Sequence, residues 1–387
     1  MDHTLKHLGI DPHKQSFTVK ITGGPDGDVA GNELLILHRE YGENARVVAI
    51  ADGYGAAHDP NGLNWKELIR LTKNEESICK FNPDKLSKSD NAWVITAETR
   101  EHINRRNQLH AVAVADIFIP AGGRPYTVNQ ENCDRFISTS GEPTCRAIIE
   151  GANIFFTKEA RDKLQEMGII MVKDSSANKT GVICSSYEII ASLLLSKDEF
   201  KSIKPTFVEQ VIEILREKAG KEAKLLFSEY GKDRGAKPLV ALSMEISREI
   251  NQVTDTLLEE FTRDKETYLT DKMFQALILR HCPPILREKY PDRILEKLPA
   301  PHQIAILASF IASHIVYSEG LGWLESISEG RRFKAALTYM KNDQLAEQLI
   351  DIVSESGLRE KSEIAAILTR SAARDLTMIN LESSVHD

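Results

Sequence analysis

A glycine-rich turn close to the start of the sequence offers groups that could hold a phosphate. The β-rich run 17–21 precedes the stretch GPDGDVA (residues 24–30), and a helix-compatible segment follows it. Glycines let the backbone approach a pyrophosphate, and the N-terminus of a helix offers unpaired N–H groups. The stretch matches the dinucleotide fingerprint G-x-G-x-x-[GA] once one residue is inserted between the first two glycines. The predicted pyrophosphate contacts are Gly24, Gly27, Asp28 and Val29.

Two aspartates in this turn oppose such a role. Asp26 and Asp28 carry carboxylates, which repel a phosphate unless they turn away from it or cap the helix. A glycine-rich turn between a strand and a helix is also common in α/β proteins that bind no nucleotide. An ordinary connecting turn therefore stays open as the alternative.

The residue after the second predicted strand gives an independent test of whether the turn binds a dinucleotide. Asp52 ends the run ARVVAIAD and follows Gly31 by 21 residues. In dinucleotide folds the acid that binds the adenosine ribose hydroxyls lies about 20 residues beyond the glycine turn. Neither lysine nor arginine occurs in Gly53–Ala56, so a 2′-phosphate would meet a negative charge without a cation. We predict that Asp52 and Gly53 contact a cofactor and that it is NAD, not NADP; an aspartate in a plain β-turn is the alternative.

The region from residue 17 to about 190 alternates short β-rich runs with helix-compatible segments. The predicted strands are Thr18–Thr22, Arg46–Ala51, Ala92–Ile95, Asp116–Pro120, Ala147–Glu150 and Ile169–Lys173. Predicted helices between them include Glu33–Tyr41, Leu63–Lys73 and Lys158–Met167. Several strands are apolar on successive residues, as strands covered on both faces must be. The pattern predicts an α/β fold over residues 1–200, with a doubly wound, Rossmann-type and mostly parallel sheet.

Residues 201–387 are predicted to form an all-α C-terminal extension. Apolar residues between Leu239 and Leu257 recur every three or four positions, which is the spacing of one helix face. Similar patterns cover residues 206–230, 303–317, 332–354 and 361–381. Prolines at 283, 284, 291, 299 and 301 break the helices between them.

Composition and charge exclude several function classes. The net charge of −8 comes without a lysine or arginine block, which argues against nucleic-acid binding. The longest apolar run, Ile304–Tyr317, is shorter than the roughly 20 residues of a membrane span, so we expect a buried helix and no membrane. The five cysteines are widely spaced and the N-terminus lacks the pattern of a secretion signal, which favours a cytoplasmic protein. His3, His7 and His13 could form a metal arm, but we predict no metal site.

Three longer stretches carry a family resemblance. They are DIFIPAGGRPYTVN (116–129), IIEGANIFFTKEARDKL (148–164) and GIIMVKDSSANKTGVICSSYE (168–188). Together they resemble the cofactor domain of the glutamate/leucine/phenylalanine/valine dehydrogenases, in which E-G-A-N-x-x-x-T-x-E-A and A-N-x-x-G-V-x-x-S recur in this order. The form TGGPDGDVAGNE, with ADGYG and PAGGRP, is most similar to the large NAD-dependent glutamate dehydrogenases. The resemblance covers about Phe17 to Phe200 and is faint beyond it.

The resemblance implies roles for individual residues. Asn153 matches the asparagine that lies against the nicotinamide ribose, and Asn178 matches one that faces the cofactor cleft. Ser185 matches the serine that binds the substrate side-chain carboxylate, although Ser186 makes the register uncertain by one residue. Arg124 is either a phosphate or substrate contact or a member of a surface salt bridge. The implied reaction is the oxidative deamination of L-glutamate to 2-oxoglutarate and ammonia.

In this family the activating lysine and the proton-transferring aspartate lie in a domain N-terminal to the cofactor domain. Only about sixteen residues precede the first predicted strand, and no catalytic residue can be named in this sequence. We expect the chain to be the C-terminal portion of a larger enzyme, a homo-oligomer when complete, and to be inactive without its N-terminal part. The alternatives are an NAD(H)-binding regulatory or interaction module and a dehydrogenase for another amino acid.

Overall fold

The computed structural model describes residues 1–232 and 234–383, and the chain divides into two compact units. The first unit contains Met1–Gly181 and Leu226–Ser243. The second contains Val182–Leu225 and Met244–Asp387. The predicted boundary at residue 200 lies inside the first segment of the second unit.

The first unit is built on a seven-stranded, mostly parallel sheet. Its strands in chain order are β1 (Phe17–Thr22), β2 (Ala45–Ala51), β3 (Gly55–His58), β4 (Trp93–Thr96), β5 (Ala115–Pro120), β6 (Cys145–Ile149) and β7 (Ile170–Val172). The spatial order is β4-β3-β2-β1-β5-β6-β7. Strands β2, β1, β5, β6 and β7 run parallel, and all six predicted strands are confirmed to within two residues at either end.

One strand, β3, is absent from the sequence prediction. It pairs antiparallel with both β2 and β4, so the edge of the sheet beyond β2 is not parallel. Its sequence is only Gly-Ala-Ala-His, which lacks the β-branched residues that mark a strand. The chain reverses at Asp52, whose N–H donates to the Gly55 carbonyl over 3.0 Å.

Helices cover both faces of this sheet. In the first unit they are α1 (Asp2–His7), α2 (Asp28–Tyr41), α3 (Trp65–Lys73), α4 (Arg100–Val112), α5 (Lys158–Glu166) and α6 (Asp174–Ala177). The side chains of Asn64, Thr99 and Thr157 cap α3, α4 and α5 by accepting from backbone N–H groups. Helix α4 was not predicted because its sequence, REHINRRNQLHAV, carries few apolar residues.

The sheet order creates a switch point beside β1. The chain leaves β1 for β2 on one side and later returns to β5 on the other side. The carboxyl ends of β1 and β5 therefore diverge toward different helices and leave a crevice between them. In open α/β sheets, ligands bind at this crevice.

The second unit is helical, as predicted. Its helices, some of which also contribute residues to the first unit, are α7 (Thr180–Leu194), α8 (Lys197–Lys232), α9 (Leu239–Arg263), α10 (Lys265–Thr270), α11 (Lys272–His281), α12 (Pro284–Lys289), α13 (Pro291–Lys297), α14 (Ala300–Glu319), α15 (Glu329–Glu355), α16 (Lys361–Ile367) and α17 (Ala373–Ser383). Prolines occupy the first turns of α12, α13 and α14, where the missing N–H costs no hydrogen bond.

The apolar run 304–317 lies within α14. This helix has 20 residues, and among the helices that the structure describes it is the one long and apolar enough to cross a membrane by length and composition. Nine of its residues are buried, including Ile304, Ile311 and Ile315, which belong to the hydrophobic core of the second unit. A core helix passes the same test of length and composition.

The three N-terminal histidines that could form a metal arm lie beside aromatic rings. His3 and His7 pack against Phe227, with ring centroids 6.1 and 5.7 Å apart, and His13 lies 5.8 Å from Tyr41. Within residues 1–232 and 234–383, no group of three or more histidine, cysteine, aspartate or glutamate side chains could hold a metal ion.

Candidate functional site

A cleft of about 890 Å³ opens at the carboxyl ends of β1, β2 and β5. Its volume lies within the range of small-molecule and cofactor sites. The residues that line it include Gly23, Gly24, Asp26, Gly27, Asp52, Gly53, Ile103, Arg106, Asn107, His110, Arg124 and Arg135. The structure thus brings Gly24, Gly27, Asp52 and Gly53 to one site, as the sequence predicts.

The glycine turn is closely packed against the rest of the sheet. The N–H of Gly23 donates to the Ala51 carbonyl over 2.9 Å, and Gly23 has φ of +99°, a conformation that favours glycine. A Cβ on Gly23 would lie 3.1 Å from the backbone nitrogen of Gly122. A Cβ on Gly31 would lie 2.6 Å from the Pro25 carbonyl oxygen. Close packing therefore requires glycine at positions 23 and 31, which lie outside the matched fingerprint of Gly24, Gly27 and Ala30.

The N-terminus of α2 opens at this turn. Gly27 is its N-cap residue and, in the part of the chain that the structure describes, no side chain accepts a hydrogen bond as its cap. The first N–H groups of the 14-residue helix are thus available to an anion. Asp28 and Val29 form the first turn and are exposed, but neither side chain lines the cleft. The Cγ1 of Val29 faces Gly151, 3.8 Å from where a Cβ on that glycine would lie.

Asp26 lines the cleft beside Asp52. Loss of solvent around Asp26, followed by the nearby charge of Asp52, raises the pKa of the Asp26 carboxyl above its usual range. Asp28 does not cap α2 with its side chain, so the objection that its carboxylate would repel a phosphate is not removed by capping. Its carbonyl instead accepts from the Asn32 amide over 2.7 Å.

The Asp52 carboxylate organises the turns around it. Oδ1 accepts from the N–H groups of Tyr54 and Gly55 over 2.8 and 3.0 Å. Oδ2 accepts from the Ser77 hydroxyl and the Ile78 N–H, each over 2.7 Å. Asp52 lies directly after β2 and at the chain reversal into β3, and its role as a cofactor contact stays a prediction.

An arginine distant in sequence lies beside this aspartate. Arg106 of α4 donates from Nη1 to the Gly53 carbonyl and, over 3.4 Å, to the Asp52 carbonyl. Its Nε and Nη2 donate to the Asn107 side-chain oxygen over 3.1 and 2.8 Å. A cation therefore does lie beside Asp52, although none occurs among the four residues that follow it in sequence.

The structure brings Asn153 and Asn178 into contact. The Asn178 side-chain nitrogen donates to the Asn153 side-chain oxygen over 2.6 Å and to the Gly151 carbonyl over 3.1 Å. Gly151 lies beside Val29, so this pair of amides flanks the N-terminus of α2. Neither asparagine is among the residues that line the main cleft.

A buried ion-pair cluster supports the turn that carries Asn153. Arg161 of α5 donates to both oxygens of Glu150, over 2.7 and 2.6 Å, and lies 3.5 Å from Asp174. Asp174 in turn accepts from the Ile154 N–H over 2.8 Å. The glutamate and arginine of the E-G-A-N…E-A-R stretch are therefore positioning residues, a role that the sequence alone did not reveal.

The same turn is conformationally strained. Ile154 has φ of +49° and Tyr126 has φ of +56°, and both side chains are exposed. The Tyr126 N–H donates to the Ile154 carbonyl over 2.8 Å, which joins the loops after β5 and β6. A β-branched residue in the left-handed region is costly, and such residues concentrate at ligand sites.

Two other arginines, Arg124 and Arg135, line the cleft on its β5 side. Both side chains are exposed. His110 lies beside them, and burial, with the charges of Lys20 and Arg135, lowers its pKa to about 4. This side of the cleft therefore combines a neutral imidazole with two guanidinium groups.

Ser185 belongs to the second unit. It lies in the middle of α7 and is exposed. Ser186, the neighbour that makes the register uncertain, donates to the Ile183 carbonyl over 2.7 Å.

The sequence offered no lysine with a pKa lowered by burial, but in the structure burial lowers the pKa of two lysines, Lys20 and Lys218. Lys20 of β1 is fully buried, and burial lowers its pKa to about 8. Its Nζ donates to the carbonyls of Ala113 and Thr144 and to the Thr144 hydroxyl, over 2.7, 3.3 and 3.0 Å. Because it does not reach the cleft surface, we assign it a structural role.

Lys20 predicts a pH dependence of stability. Between pH 8 and about 10.4 the unfolded chain binds the proton that the folded chain has released, so the free energy of unfolding rises with pH. We expect wild type to gain about 3 kcal/mol over this range relative to Lys20→Met. Urea denaturation at five pH values checks this. If the free energies of unfolding of wild type and of Lys20→Met changed with pH in parallel, the prediction would be contradicted.

The family assignment comes from sequence comparison. The family model "Glutamate/Leucine/Phenylalanine/Valine dehydrogenase" matches residues 1–227. "Glutamate dehydrogenase 2" of Dictyostelium discoideum is 34% identical over 342 residues, covering 82% of this chain and 31% of the relative. The "NAD-specific glutamate dehydrogenase" of Neurospora crassa is 32% identical over 338 residues, covering 81% of this chain and 31% of the relative.

These matches cover 342 and 338 residues, so the similarity extends well beyond Phe200, the point at which the motif resemblance becomes faint. The chain spans about a third of the length of these relatives. A shorter relative, the "Glutamate dehydrogenase" of Thermotoga maritima, is 31% identical over 186 residues and covers 48% of this chain and 37% of the relative.

Solved structures give weaker likenesses. Glutamate dehydrogenase 2 of Plasmodium falciparum has a TM-score of 0.40 at 19% identity and covers 62% of this chain and 46% of that chain. The hetero-hexameric glutamate dehydrogenase of Thermus thermophilus has a TM-score of 0.41 at 18% identity and covers 61% and 46%. On the basis of the sequence matches and the Rossmann-type sheet, the chain belongs to the glutamate/leucine/phenylalanine/valine dehydrogenase family.

Proposed function

We propose that this chain is the NAD-binding part of a glutamate dehydrogenase. The observation that carries the proposal is the cleft at the switch point, where the uncapped N-terminus of α2, the glycine turn and Asp52 meet. The large relatives named as NAD-specific glutamate dehydrogenases support the choice of cofactor and substrate. Bound NAD would supply a hydride acceptor for the oxidation of L-glutamate to 2-oxoglutarate and ammonia.

The residues of the cleft fit a dinucleotide. The free N–H groups of α2 and the backbone at Gly24 and Gly27 would hold the pyrophosphate. Asp52 and Gly53 lie at the end of β2, where the adenosine ribose binds in this fold, and the Asp52 carboxylate would shape this end of the cleft through the turns that it holds. Asn153 and Asn178, joined by their hydrogen bond, would face the nicotinamide half from the β6 side.

Catalysis in this proposal requires the rest of the enzyme. The chain spans about a third of the length of its large relatives. Among the described residues that line the cleft, none is a lysine that could activate the substrate. We propose that the complete enzyme is a homo-oligomer, that the N-terminal part supplies the reacting groups and that this chain alone does not oxidise glutamate.

The proposal is tested by calorimetric titration with NADH and by complementation. We expect the chain to bind NADH, to give no glutamate-dependent NADH formation by itself, and to give activity once the N-terminal part is added. Absence of NADH binding would overturn the proposal. Binding without activity after complementation would favour the alternative of a regulatory NAD(H)-binding module.

Ser185 provides a test of the substrate. In the complemented enzyme we expect Ser185→Ala to raise KM for glutamate about tenfold or more, since a hydroxyl that donates to a carboxylate is lost. KM for NAD should stay unchanged. Ser192→Ala, an exposed serine on the same helix, is the matched control. Equal changes in both KM values, or unchanged activity toward glutamate, would contradict the assigned role.

A further inference from the structure

The acceptor capacity of Asp52 is already used within the protein. An ionised carboxylate offers about four lone-pair directions. Four protein donors occupy them: the N–H groups of Tyr54, Gly55 and Ile78 and the hydroxyl of Ser77. Asp52 therefore holds the turns around the cleft, and recognition of the adenosine half needs a further residue.

Arg106 is held in a fixed orientation at this end of the cleft. Its Nη1 donates to carbonyls at the end of β2, and its Nε and Nη2 both donate to the Asn107 oxygen. Acceptors on two sides thus fix the plane of the guanidinium. The side chain is half-buried and lines the cleft.

The other cleft-lining residues of α4 complete a site for a flat aromatic group. Six residues of α4 line the cleft, and Ile103, Arg106 and His110 follow one another at three or four residues along one face; the others are Asn107, Gln108 and Ala111. This face supplies an apolar side chain one turn before the planar cation. A guanidinium stacks on aromatic faces, whereas an ammonium is a strongly hydrated point charge that does not stack in the same way.

We propose that Arg106 is the specificity-determining residue for the adenine of the dinucleotide, which its guanidinium plane contacts beside Ile103. The inference rests on the proposed NAD-binding function and names the chemistry of one end of that site. Arg106 acts as a stacking surface for the base and not as a reader of a 2′-phosphate.

The test compares Arg106→Met and Arg106→Lys with wild type by calorimetric titration with NADH, AMP and NADPH. The matched control is Arg105→Met, because Arg105 stacks on Trp93 with 3.8 Å between its guanidinium carbon and the ring centroid. We expect both Arg106 variants to bind NADH and AMP about tenfold more weakly, and the control to bind as wild type does. Circular dichroism checks that each variant is folded.

Each other outcome overturns the inference. Unchanged NADH and AMP binding by Arg106→Met, or full affinity with Arg106→Lys, would show that no planar cation is needed. A loss confined to NADPH would make Arg106 a phosphate contact instead. If wild type binds neither NADH nor AMP, the proposed function fails as well, which distinguishes that failure from the failure of Arg106 alone.

Discussion

Replacement of Arg161 by methionine is expected to lower the free energy of unfolding of the first unit by about 3–5 kcal/mol, because it leaves a buried carboxylate without its partner. The side chains of Arg161 and Glu150 are 9% and 0% exposed, and two hydrogen bonds of 2.7 and 2.6 Å join them. Removal of both charges should cost much less. We therefore expect Glu150→Leu/Arg161→Met to recover most of the loss.

The measurement is urea denaturation followed by tryptophan fluorescence. Trp65 and Trp93 lie in the first unit and Trp323 in the second, so a Trp323→Phe background reports on the first unit alone. The control on the same helix is Lys158→Met, whose pair with Asp162 is solvent-exposed and should change the free energy of unfolding little. An Arg161→Met chain as stable as this control would show that the buried pair is dispensable.

The second large effect is expected at Gly24. A Cβ there would lie 2.5 Å from Oδ2 and 2.8 Å from Cβ of Asp52. Asp52 cannot move aside without losing its hydrogen bonds to Ser77 and Ile78. Gly24→Ala should therefore distort the turn at a cost of about 1–3 kcal/mol and weaken NADH binding about tenfold or more.

Calorimetric titration of Gly24→Ala with NADH checks this expectation. Gly220→Ala is the matched control, because Gly220 lies in α8 with no atom within 4 Å of an added Cβ. The control should bind NADH normally and gain about 0.5–1 kcal/mol of stability. Wild-type affinity in Gly24→Ala would mean that the turn does not contact the dinucleotide.

The parallel core of the sheet was predictable because its strands are buried on both faces. Runs such as Val47–Ala51 and Ile117–Pro120 are apolar on successive residues, and turn residues separate them from amphipathic helices. β3 and α4 were missed for the opposite reason. Their sequences are short or polar, and their positions are fixed by the hairpin at Asp52 and by the Thr99 cap.

The candidate site was predictable where ligand geometry dictates residue type and spacing. Gly24, Gly27 and Asp52 follow from the fingerprint, and the structure brings them to one cleft. Arg106 could not be found this way, because 53 residues separate it from Gly53 and only the packing of α4 against the sheet makes them neighbours. The support from Arg161 likewise depends on tertiary contacts that no local pattern encodes.

Because α8 contributes residues to both units, the coenzyme-binding unit is not one continuous stretch of sequence that can be expressed by itself. A polypeptide cut after residue 200 would lack Leu226–Ser243, whose Phe227 packs against His3 and whose Ser243 bonds to Ser176 over 2.6 Å. Such a truncation would uncover apolar surface on α1 and remove a neighbour of the short helix that precedes Asn178. A soluble minimal version therefore calls for a circular permutation or a linker that returns residues 226–243 to the shortened polypeptide.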